Sequence, residues 1–502
     1  MKPREATRRP HVLLITVDHW SGALLGCAGH PTIQTPTLDA LARSGTRFSR
    51  AYSECPICIP ARRTLMTGTV PRLHGDRSFQ ETLAMPALPT LAGAFRAAGY
   101  QAYAAGKLHV YPQRNRIGFD DVALAEEGRA QFGVVDDYED FLTREGFPGL
   151  AHSHGLSVNG YEVRPWPLPE QCHPTNWITT QMMRFIKRRD PTRPGFWYLS
   201  YTHPHPPLAP LRDYLRSYES LPVPSVPIGA WSRDEAQLPG LLLVARHRYQ
   251  VYNDNAAAQA VRAFYALCSH IDHQLRLVLG TLREEGLLDD TVILFTSDHG
   301  DMLGAHGGWA KRLFYEPSAR VPMIVLGPAG DPRIEPGRVD DRLVGLQDVM
   351  PTLLDLAGLP VPKTLSGRSM VRRSRRAWLY GESGEGVDAT RMIRQGPWKL
   401  IYYPEGNIAQ LFHVETDPDE LNDLSGEARH RGILDSMRSQ LRSQLYGADR
   451  AWVRGSSWRG LPSRPAAEVI AGLRARGRRL IEQRGSHWPP PPADSNGGIT
   501  AR

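Results

Sequence analysis

Residues 11–19 read His-Val-Leu-Leu-Ile-Thr-Val-Asp-His, a mostly apolar run that ends abruptly in two polar residues. A run of this length is typical of a central strand in a parallel sheet, because such a strand is buried on both faces. It is too short for the apolar region of a signal peptide. We therefore predict that this stretch is the first buried strand of the fold, with Asp18 and His19 at its carboxyl end.

Further apolar runs lie downstream, and amphipathic helical patterns separate them. The stretch 256–286 carries Val261, Phe264, Leu267 and Ile271 at helical spacing. Strands that alternate with helices indicate an α/β fold with a mainly parallel sheet. The other predicted strands are 101–105, 196–201, 290–296 and 321–326, and the other predicted helices are 35–46, 88–100 and 348–358.

The pattern changes beyond about residue 363. Short strands at 377–381 and 398–403 and a helix at 434–445 predict a small domain with an antiparallel sheet. Residues 110–190 are rich in Pro, Gly, His and Trp, and we predict irregular loops there. The predicted organisation is a large α/β domain at 1–365, a small C-terminal α+β domain at 366–446, and an Arg- and Pro-rich extension at 447–502.

The composition excludes several classes of protein. A chain of 502 residues is too long for one ordinary core. No apolar run approaches the roughly 20 residues that a membrane helix needs, so we expect no contact with a membrane. Five cysteines are too few for a disulfide scaffold, and in the absence of an export signal we expect a cytoplasmic protein.

The net charge of +8 arises from 60 Lys and Arg against 52 Asp and Glu, and Arg supplies nearly all of the positive charge. A basic surface can steer anionic substrates, but it is more often a solvated face. No aromatic residues are interleaved with basic ones as in a nucleic-acid module. We therefore expect no specific nucleic-acid partner.

Chemically active side chains follow four of the predicted strands. Ligands of open α/β sheets bind beyond the carboxyl ends of the strands, so these side chains are candidates for one common site. Carboxylates, imidazoles and an ammonium that converge on one edge predict catalysis more strongly than any one of them alone. They are Asp18 and His19, Lys107 and His109, His205, and Asp298 and His299.

Asp18, Asp298 and His299 are candidate metal ligands, from two strands that can be neighbours. Two carboxylates and an imidazole suit Ca²⁺, Mn²⁺ or Mg²⁺ better than a structural zinc. His19 is either a ligand or a group that orients the site. A second set, of Lys107, His109, His205 and Lys311, suits anion binding and proton transfer.

The most specific stretch is 55–75, Cys-Pro-Ile-Cys-Ile-Pro-Ala-Arg-Arg-Thr-Leu-Met-Thr-Gly-Thr-Val-Pro-Arg-Leu-His-Gly. Taken alone, Cys55 and Cys58 suit a redox or zinc pair, but no second cysteine pair is available for zinc. Cys58-x-Pro-x-Arg62, followed by Leu-Met-Thr-Gly and a Pro, resembles the signature of the sulfatase family within the alkaline phosphatase superfamily. The resemblance spans about 12–423, with further matching motifs at 106–109, 204–207, 297–300, 306–311, 315–322, 396–400 and 415–423.

This resemblance implies a fold, an activity and a cofactor. The fold would be a large, mostly parallel mixed sheet sandwiched by helices, with a small C-terminal antiparallel sheet. The activity would be hydrolysis of a sulfate monoester of a carbohydrate or an aryl group. A formylglycine-generating enzyme would convert Cys58 to formylglycine, whose hydrate attacks sulfur, and one divalent metal ion would bind beside it, with Ca²⁺ the first choice and Mn²⁺ or Mg²⁺ the alternatives.

The resemblance also implies a role for each site residue. Arg62 would stabilise the modified Cys58, which would bind the metal together with Asp18, Asp298 and His299. Lys107 and His109 would contact the hydrate, with His109 as the base that releases sulfate. His205 and Lys311 would hold sulfate oxygens, and one of them would protonate the leaving group.

Two departures from the family pattern stand out. Many members carry a second Asp where this chain has His19, and a Ser where it has Ala61. His19 moves the site away from a pure oxygen shell. A related phosphonate monoester or phosphodiester hydrolase is the nearest alternative, but such relatives tend to replace the pair formed here by Lys107 and His109. A non-catalytic anion- or glycan-binding homologue is a further alternative.

Two expectations concern binding partners and the substrate pocket. The C-terminal extension, 447–502, is a candidate for forming a homo-oligomer. We expect the pocket wall to come from residues 110–190, where aromatic residues interleaved with Arg and His suit either a site for a sulfated sugar or the packing of loops. The candidate wall residues are Tyr111, Arg114, Arg116, Trp166, His173 and Trp177.

Overall fold

The computed structural model describes residues 9–126, 136–249, 251 and 253–477. Its main feature is an eight-stranded sheet in the order β4-β3-β5-β1-β6-β7-β2-β8. The strands are β1 (His11–Val17), β2 (Thr46–Tyr52), β3 (Gln101–Gly106), β4 (Asp121–Leu124), β5 (Gly195–Ser200), β6 (Thr291–Ser297), β7 (Met323–Leu326) and β8 (Arg338–Gly345).

The sheet is mixed and mostly parallel, as predicted. Strand β1 lies between β5 and β6 and is parallel to both, with Val17 beside Ser297. Among the described strands of this sheet, only β7 is antiparallel to both of its neighbours, β6 and β2. Because β1 and β6 are adjacent and parallel, the residues that follow them leave the sheet at the same edge.

Helices cover both faces of this sheet. The side chains of β1 alternate between two cores: Leu13, Ile15 and Val17 pack on one face, and Val12 and Leu14 on the other. The helices are α1 (Pro36–Ser44), α2 (Cys58–Thr67), α3 (Pro71–His74), α4 (Leu91–Ala97), α5 (Asp137–Arg144), α6 (Pro174–Lys187), α7 (Arg212–Glu219), α8 (Gly240–His247), α9 (Asp254–Glu284), α10 (Glu316–Ala319) and α11 (Val349–Leu356).

The prediction of irregular loops throughout 110–190 is wrong in part. This stretch contains the edge strand β4 and the helices α5 and α6. Helix α6 begins with a proline and buries Ile178, Met182 and Ile186 in the core, at the spacing of one helical face. The Pro- and His-rich segments on either side of the helix concealed this periodicity.

A second sheet follows, with four antiparallel strands in the order β12-β11-β10-β9. Helix α12 covers one face and buries Leu434, Met437 and Leu441. The elements are β9 (Trp378–Ser383), β10 (Thr390–Gln395), β11 (Trp398–Tyr403), β12 (Ile408–His413), α12 (Arg431–Gln444), the short pair β13 (Val453–Arg454) and β14 (Ser457–Trp458), and α13 (Ala466–Gly477).

The beginning of the C-terminal extension is built into the molecule. Asp449 is fully buried and accepts hydrogen bonds from Arg77 at 2.8 Å and from Arg391 at 2.9 Å. Trp452 packs in the core of the small sheet. The Arg cluster around 474–479 and the tail from Trp488 lie outside the residues whose side chains are described.

All five cysteines are free thiols. Within the described parts of the chain, no helix combines the length and the apolar character that crossing a membrane requires.

Candidate functional site

The predicted site residues that follow β1, β3, β5 and β6 meet at the carboxyl edge of the large sheet. Asp18 and His299 come from the adjacent strands β1 and β6, and the two side chains approach to 3.5 Å. Lys107 follows β3, and its Nζ donates to Asp18 Oδ2 at 2.6 Å. His205 follows β5, and its ring centroid lies 4.3 Å from that of His19. The topology thus assembles the group that the strand ends predicted.

Cys58 is the first residue of helix α2 and points into this group. Its sulfur lies 3.3 Å from His299 Nε2 and 3.7 Å from Asp18 Oδ1. The half-buried Lys311 donates to the same sulfur at 2.5 Å. Only 1% of Cys58 is exposed. An ammonium, a carboxylate and an imidazole therefore contact a buried sulfur.

Arg62 lies one helical turn after Cys58, on the same face of α2. Its Nε donates to Asp298 Oδ2 at 3.0 Å, and its Nη1 donates to Ser200 Oγ at 2.8 Å and to the Lys107 carbonyl at 3.0 Å. The side chain is 3% exposed. Arg62 therefore fixes Asp298 and the end of β3 in position below the buried sulfur.

His109 follows Lys107 in a left-handed backbone conformation, with φ of 59°. Glu126 holds this turn, because its Oε1 accepts from the backbone N–H of Leu108 at 2.7 Å and of His109 at 2.8 Å. The His109 ring is nearly buried and packs edge-on against Phe79. These contacts fix the backbone of His109 close to Lys107.

Asp18, His19, Cys58 and His299 offer ligand atoms that all lie within 4.8 Å of one another. The separations that involve Asp18 Oδ1 are 3.5 Å to His299 Nε2 and 3.9 Å to His19 Nε2. Atoms that each ligate one cation at about 2 Å have such separations. His299 Nδ1 pairs with the Gly300 carbonyl at 2.9 Å, which directs Nε2 into the group. The donor set therefore fits a divalent cation.

Asp298, also predicted as a ligand, lies at the edge of this group. Its Oδ2 accepts from Arg62, and its Oδ1 accepts from the His299 backbone N–H at 2.9 Å and lies 3.6 Å from His299 Nε2. The carboxylate thus has partners within the protein.

The cations of the site change the acidity of its other groups. Burial raises the pKa of Asp18, but Lys107 and Lys311 outweigh it and hold that pKa well below its usual value. Burial and Asp18 raise the pKa of the Cys58 thiol, yet Lys311, Lys107 and His299 lower it below its usual value overall. Burial, together with Lys311, lowers the pKa of His19 well below its usual value. Burial lowers the pKa of His299, but Asp298 and Cys58 outweigh it and raise that pKa above its usual value. The shifts of Asp18 and His19 favour the carboxylate and the neutral imidazole, the forms that bind metal.

Two buried carboxylates, Asp301 and Glu126, contact the site but were not among the predicted site residues. Asp301 Oδ2 lies 2.7 Å from His19 Nδ1, and Glu126 holds the turn at His109. Asp301 has a signal in the sequence, since it follows Asp298-His299-Gly300 directly. Glu126 has no such signal in the sequence, because the contacts that link it to the site are with backbone N–H groups.

The predicted wall residues lie in different surroundings in the structure. Trp166 lines a pocket that adjoins His205. Trp177 is buried in the core, and Arg114 and Arg116 line a separate pocket. His173 is also fully buried.

Comparison with known proteins places this site in a family. The sulfatase family model matches residues 10–359, and the model for the C-terminal region of N-sulphoglucosamine sulphohydrolase matches residues 304–446. An arylsulfatase of Clostridium perfringens is 33% identical over 475 residues, which cover 89% of this chain and 97% of the relative. A choline-sulfatase of Rhizobium meliloti is 31% identical over 454 residues, 84% of each chain.

Solved structures share the fold. A phosphonate monoester hydrolase of Agrobacterium radiobacter superimposes with a TM-score of 0.75 at 23% identity, covering 89% of this chain and 98% of the other. A protein solved in complex with its substrate D-glucosamine-2-N,6-O-disulfate has a TM-score of 0.69 at 21% identity, covering 87% and 99%. The matched family model covers most of the chain, including Cys58 and all the strand ends that form the site. The chain therefore belongs to the sulfatase family of hydrolases.

Proposed function

We propose that this protein hydrolyses a sulfate monoester, and that a maturation enzyme first converts Cys58 to formylglycine, whose hydrate is the nucleophile. The observation that carries the proposal is the surrounding of the Cys58 sulfur. A lysine ammonium, an imidazole and a carboxylate lie within 3.7 Å of one buried atom at the start of a helix. An attacking oxygen at this position would meet cationic groups that stabilise the charge of a sulfate.

The chain's own residues would divide the work. The hydrate would supply the oxygen that bonds to sulfur, with the proton of that hydroxyl released to solvent, while the bond from sulfur to the leaving oxygen breaks. His205 and Lys311 hold the sulfate oxygens, and one of them gives a proton to the leaving oxygen. His109 then removes the proton from the second hydroxyl, and the aldehyde reforms as sulfate departs. Lys107 holds Asp18 in place and keeps it ionised, and Arg62 holds Asp298 in place.

Asp18, Asp298, His299 and the modified Cys58 would hold a divalent cation. When bound, this cation lowers the pKa of a hydroxyl and offsets negative charge on the group that is transferred. Asp18, His299 and Cys58 belong, with His19, to the group of close ligand atoms, and Asp298 lies at its edge.

The pocket beside His205 favours an uncharged ring as the leaving group. Its walls include Tyr138, His154, Trp166 and Pro207, and none of its described lining residues is Asp, Glu, Lys or Arg. Burial lowers the pKa of His154 to about 3, so this imidazole is neutral at physiological pH. Aromatic and apolar walls suit an aryl group or the flat face of a sugar.

Rates on paired substrates test the proposal. The matured protein is assayed with an aryl sulfate, a sulfated monosaccharide, a phosphodiester and a phosphonate monoester that carry the same leaving group where the chemistry allows. We expect the sulfates to have the higher kcat/KM. A higher kcat/KM for the phosphodiester or the phosphonate would instead favour a phosphonate monoester or phosphodiester hydrolase, the alternative that the likeness to phosphonate monoester hydrolases suggests. Absence of turnover with every substrate would favour a binding role.

A further inference from the structure

His19 is held by a buried carboxylate that the proposed reaction does not use. Its ring is 2% exposed, and its Nδ1 lies 2.7 Å from Asp301 Oδ2. Its backbone is left-handed, with φ of 69°, a conformation that is uncommon for residues other than glycine, although histidine adopts it more often than most. The position of the imidazole is therefore determined by its contacts.

Asp301 is surrounded by hydrogen-bond donors. The Tyr161 hydroxyl donates to Oδ2 at 2.5 Å, and the backbone N–H groups of Leu303 and Ala310 donate to Oδ1 at 2.9 and 3.0 Å. Burial raises the pKa of Asp301, while Tyr161 and the two backbone N–H groups lower it. With three donors on its two oxygens, Asp301 is placed as an acceptor toward His19. His19 therefore donates through Nδ1, and the lone pair of its neutral ring is on Nε2.

His19 Nε2 is buried and has no hydrogen-bond partner among the described residues. It belongs to the group of four ligand atoms that lie within 4.8 Å of one another, and Asp18 Oδ1 is 3.9 Å away. A buried nitrogen without a partner has lost its hydration without compensation, which is unfavourable. A cation between these atoms would use the lone pair that Asp301 directs there.

We propose that His19 is a metal ligand through Nε2, that Asp301 and Tyr161 are its positioning residues, and that the resulting site selects an imidazole-binding ion such as Mn²⁺ over Ca²⁺. The inference rests on the metal site of the proposed function and deepens it. Ca²⁺ prefers six to eight oxygen ligands, as a rule, whereas two of the donors here are imidazoles, beside Asp18, the modified Cys58 and Asp298, whose Oδ2 is bound to Arg62. The proposed preference for Mn²⁺ differs from the preference for Ca²⁺ that the family resemblance implies.

Pulsed electron paramagnetic resonance of the full-length matured protein, loaded with Mn²⁺ alone, tests the ligand directly. We expect nitrogen couplings from two imidazoles, and His19→Asn should lose one of them. Asparagine tolerates the left-handed backbone. His306→Asn is the matched control, because His306 is also fully buried with a positive φ but contacts Trp231 and Tyr315 instead. This control should keep both couplings.

Calorimetric titrations with Mn²⁺ and with Ca²⁺ test the positioning residues. Asp301→Ala should weaken Mn²⁺ binding by about 10–100-fold, and Ca²⁺ binding much less. Tyr161→Phe keeps the aromatic contact with Trp309 and should produce a smaller loss. A variant that merely unfolds would lose both ions in parallel, so the ratio of the two affinities separates positioning from a general structural role.

The inference is overturned if the unsubstituted protein shows one imidazole coupling that His19→Asn leaves unchanged, or if it binds Ca²⁺ more tightly than Mn²⁺. Sulfatase turnover is measured on the same samples. An active sulfatase with a single coupling contradicts only the inference about His19. Two couplings in a protein that turns over no sulfate contradict only the proposed function.

Discussion

Lys311 Nζ lies 2.5 Å from the sulfur of Cys58, although 253 positions separate the two residues in the chain. The contact joins the start of helix α2 to the loop that follows β6 and brings the strongest positive charge near the sulfur. Burial and Asp18 raise the pKa of the thiol. Lys311 lowers this pKa more than any other cation of the site does, and the net shift is downward. The two residues define where an anion would react.

Replacement of Cys58 by Ala should abolish turnover. The change removes the proposed nucleophile, so kcat/KM for an aryl sulfate should fall by at least about 10³-fold. Cys55→Ala is the matched control, because Cys55 is equally buried but its sulfur contacts the Arg77 carbonyl, outside the site. We expect the control to lose about 1 kcal/mol of unfolding free energy and to retain activity. Equal loss of activity in both variants would contradict the role of Cys58.

Arg62→Lys should impair both activity and stability. Lysine keeps the charge but cannot donate at once to Asp298, Ser200 and the Lys107 carbonyl. We expect kcat/KM to fall by about 10²-fold and the free energy of unfolding by about 3 kcal/mol. Arg63→Lys is the control, since Arg63 is also buried but donates to the Ala84 carbonyl away from the site. Steady-state kinetics and urea unfolding should separate the two arginines.

Glu126 should matter through the turn that carries His109. Glu126→Ala removes one acceptor shared by two backbone N–H groups, each bond to a charged acceptor being worth about 1.5–3 kcal/mol. We expect kcat to fall about tenfold, while Glu126→Gln, which keeps an acceptor oxygen, should restore most of it. If Ala and Gln variants have the same kcat, the carboxylate does not act through this turn.

Some of this arrangement could be predicted from the sequence. The apolar runs of β1 and β6 are continuous because both strands are central, and the polar residues after them were correctly expected to meet. Strands β2 and β8 were not predicted, since they alternate buried and solvated residues near the edge of the sheet. Asp301 and Glu126 act on groups that only the folded topology brings near, so their types and spacing carry little information.

Glu420 should make stability depend on pH. Burial, together with the charge of Glu316, raises the pKa of Glu420 to about 7, although Lys399 opposes the shift. A carboxyl with a raised pKa in the folded state binds its proton more tightly there. Its contribution to stability is therefore complete below its unfolded pKa of about 4.3 and is lost as the pH rises through 7.

Urea unfolding at pH 5, 6, 7 and 8 measures this effect as a difference between variants. From pH 5 to pH 8, the free energy of unfolding of the unsubstituted protein should fall by up to about 3 kcal/mol more than that of Glu420→Gln. Glu427→Gln, at a partly exposed carboxylate paired with Arg429, should follow the unsubstituted protein. Identical pH profiles for all three proteins would show that Glu420 titrates normally.

The state of Cys58 in the active protein is the central claim, and mass spectrometry of the tryptic peptide Ala51–Arg62 tests it most directly. The protein is produced with and without a formylglycine-generating enzyme, alkylated after denaturation, and assayed on an aryl sulfate. We predict that the matured peptide is alkylated at Cys55 only, carries an aldehyde at position 58, and that turnover rises in proportion to the aldehyde fraction. Full activity in a protein whose Cys55 and Cys58 are both alkylated would contradict the account.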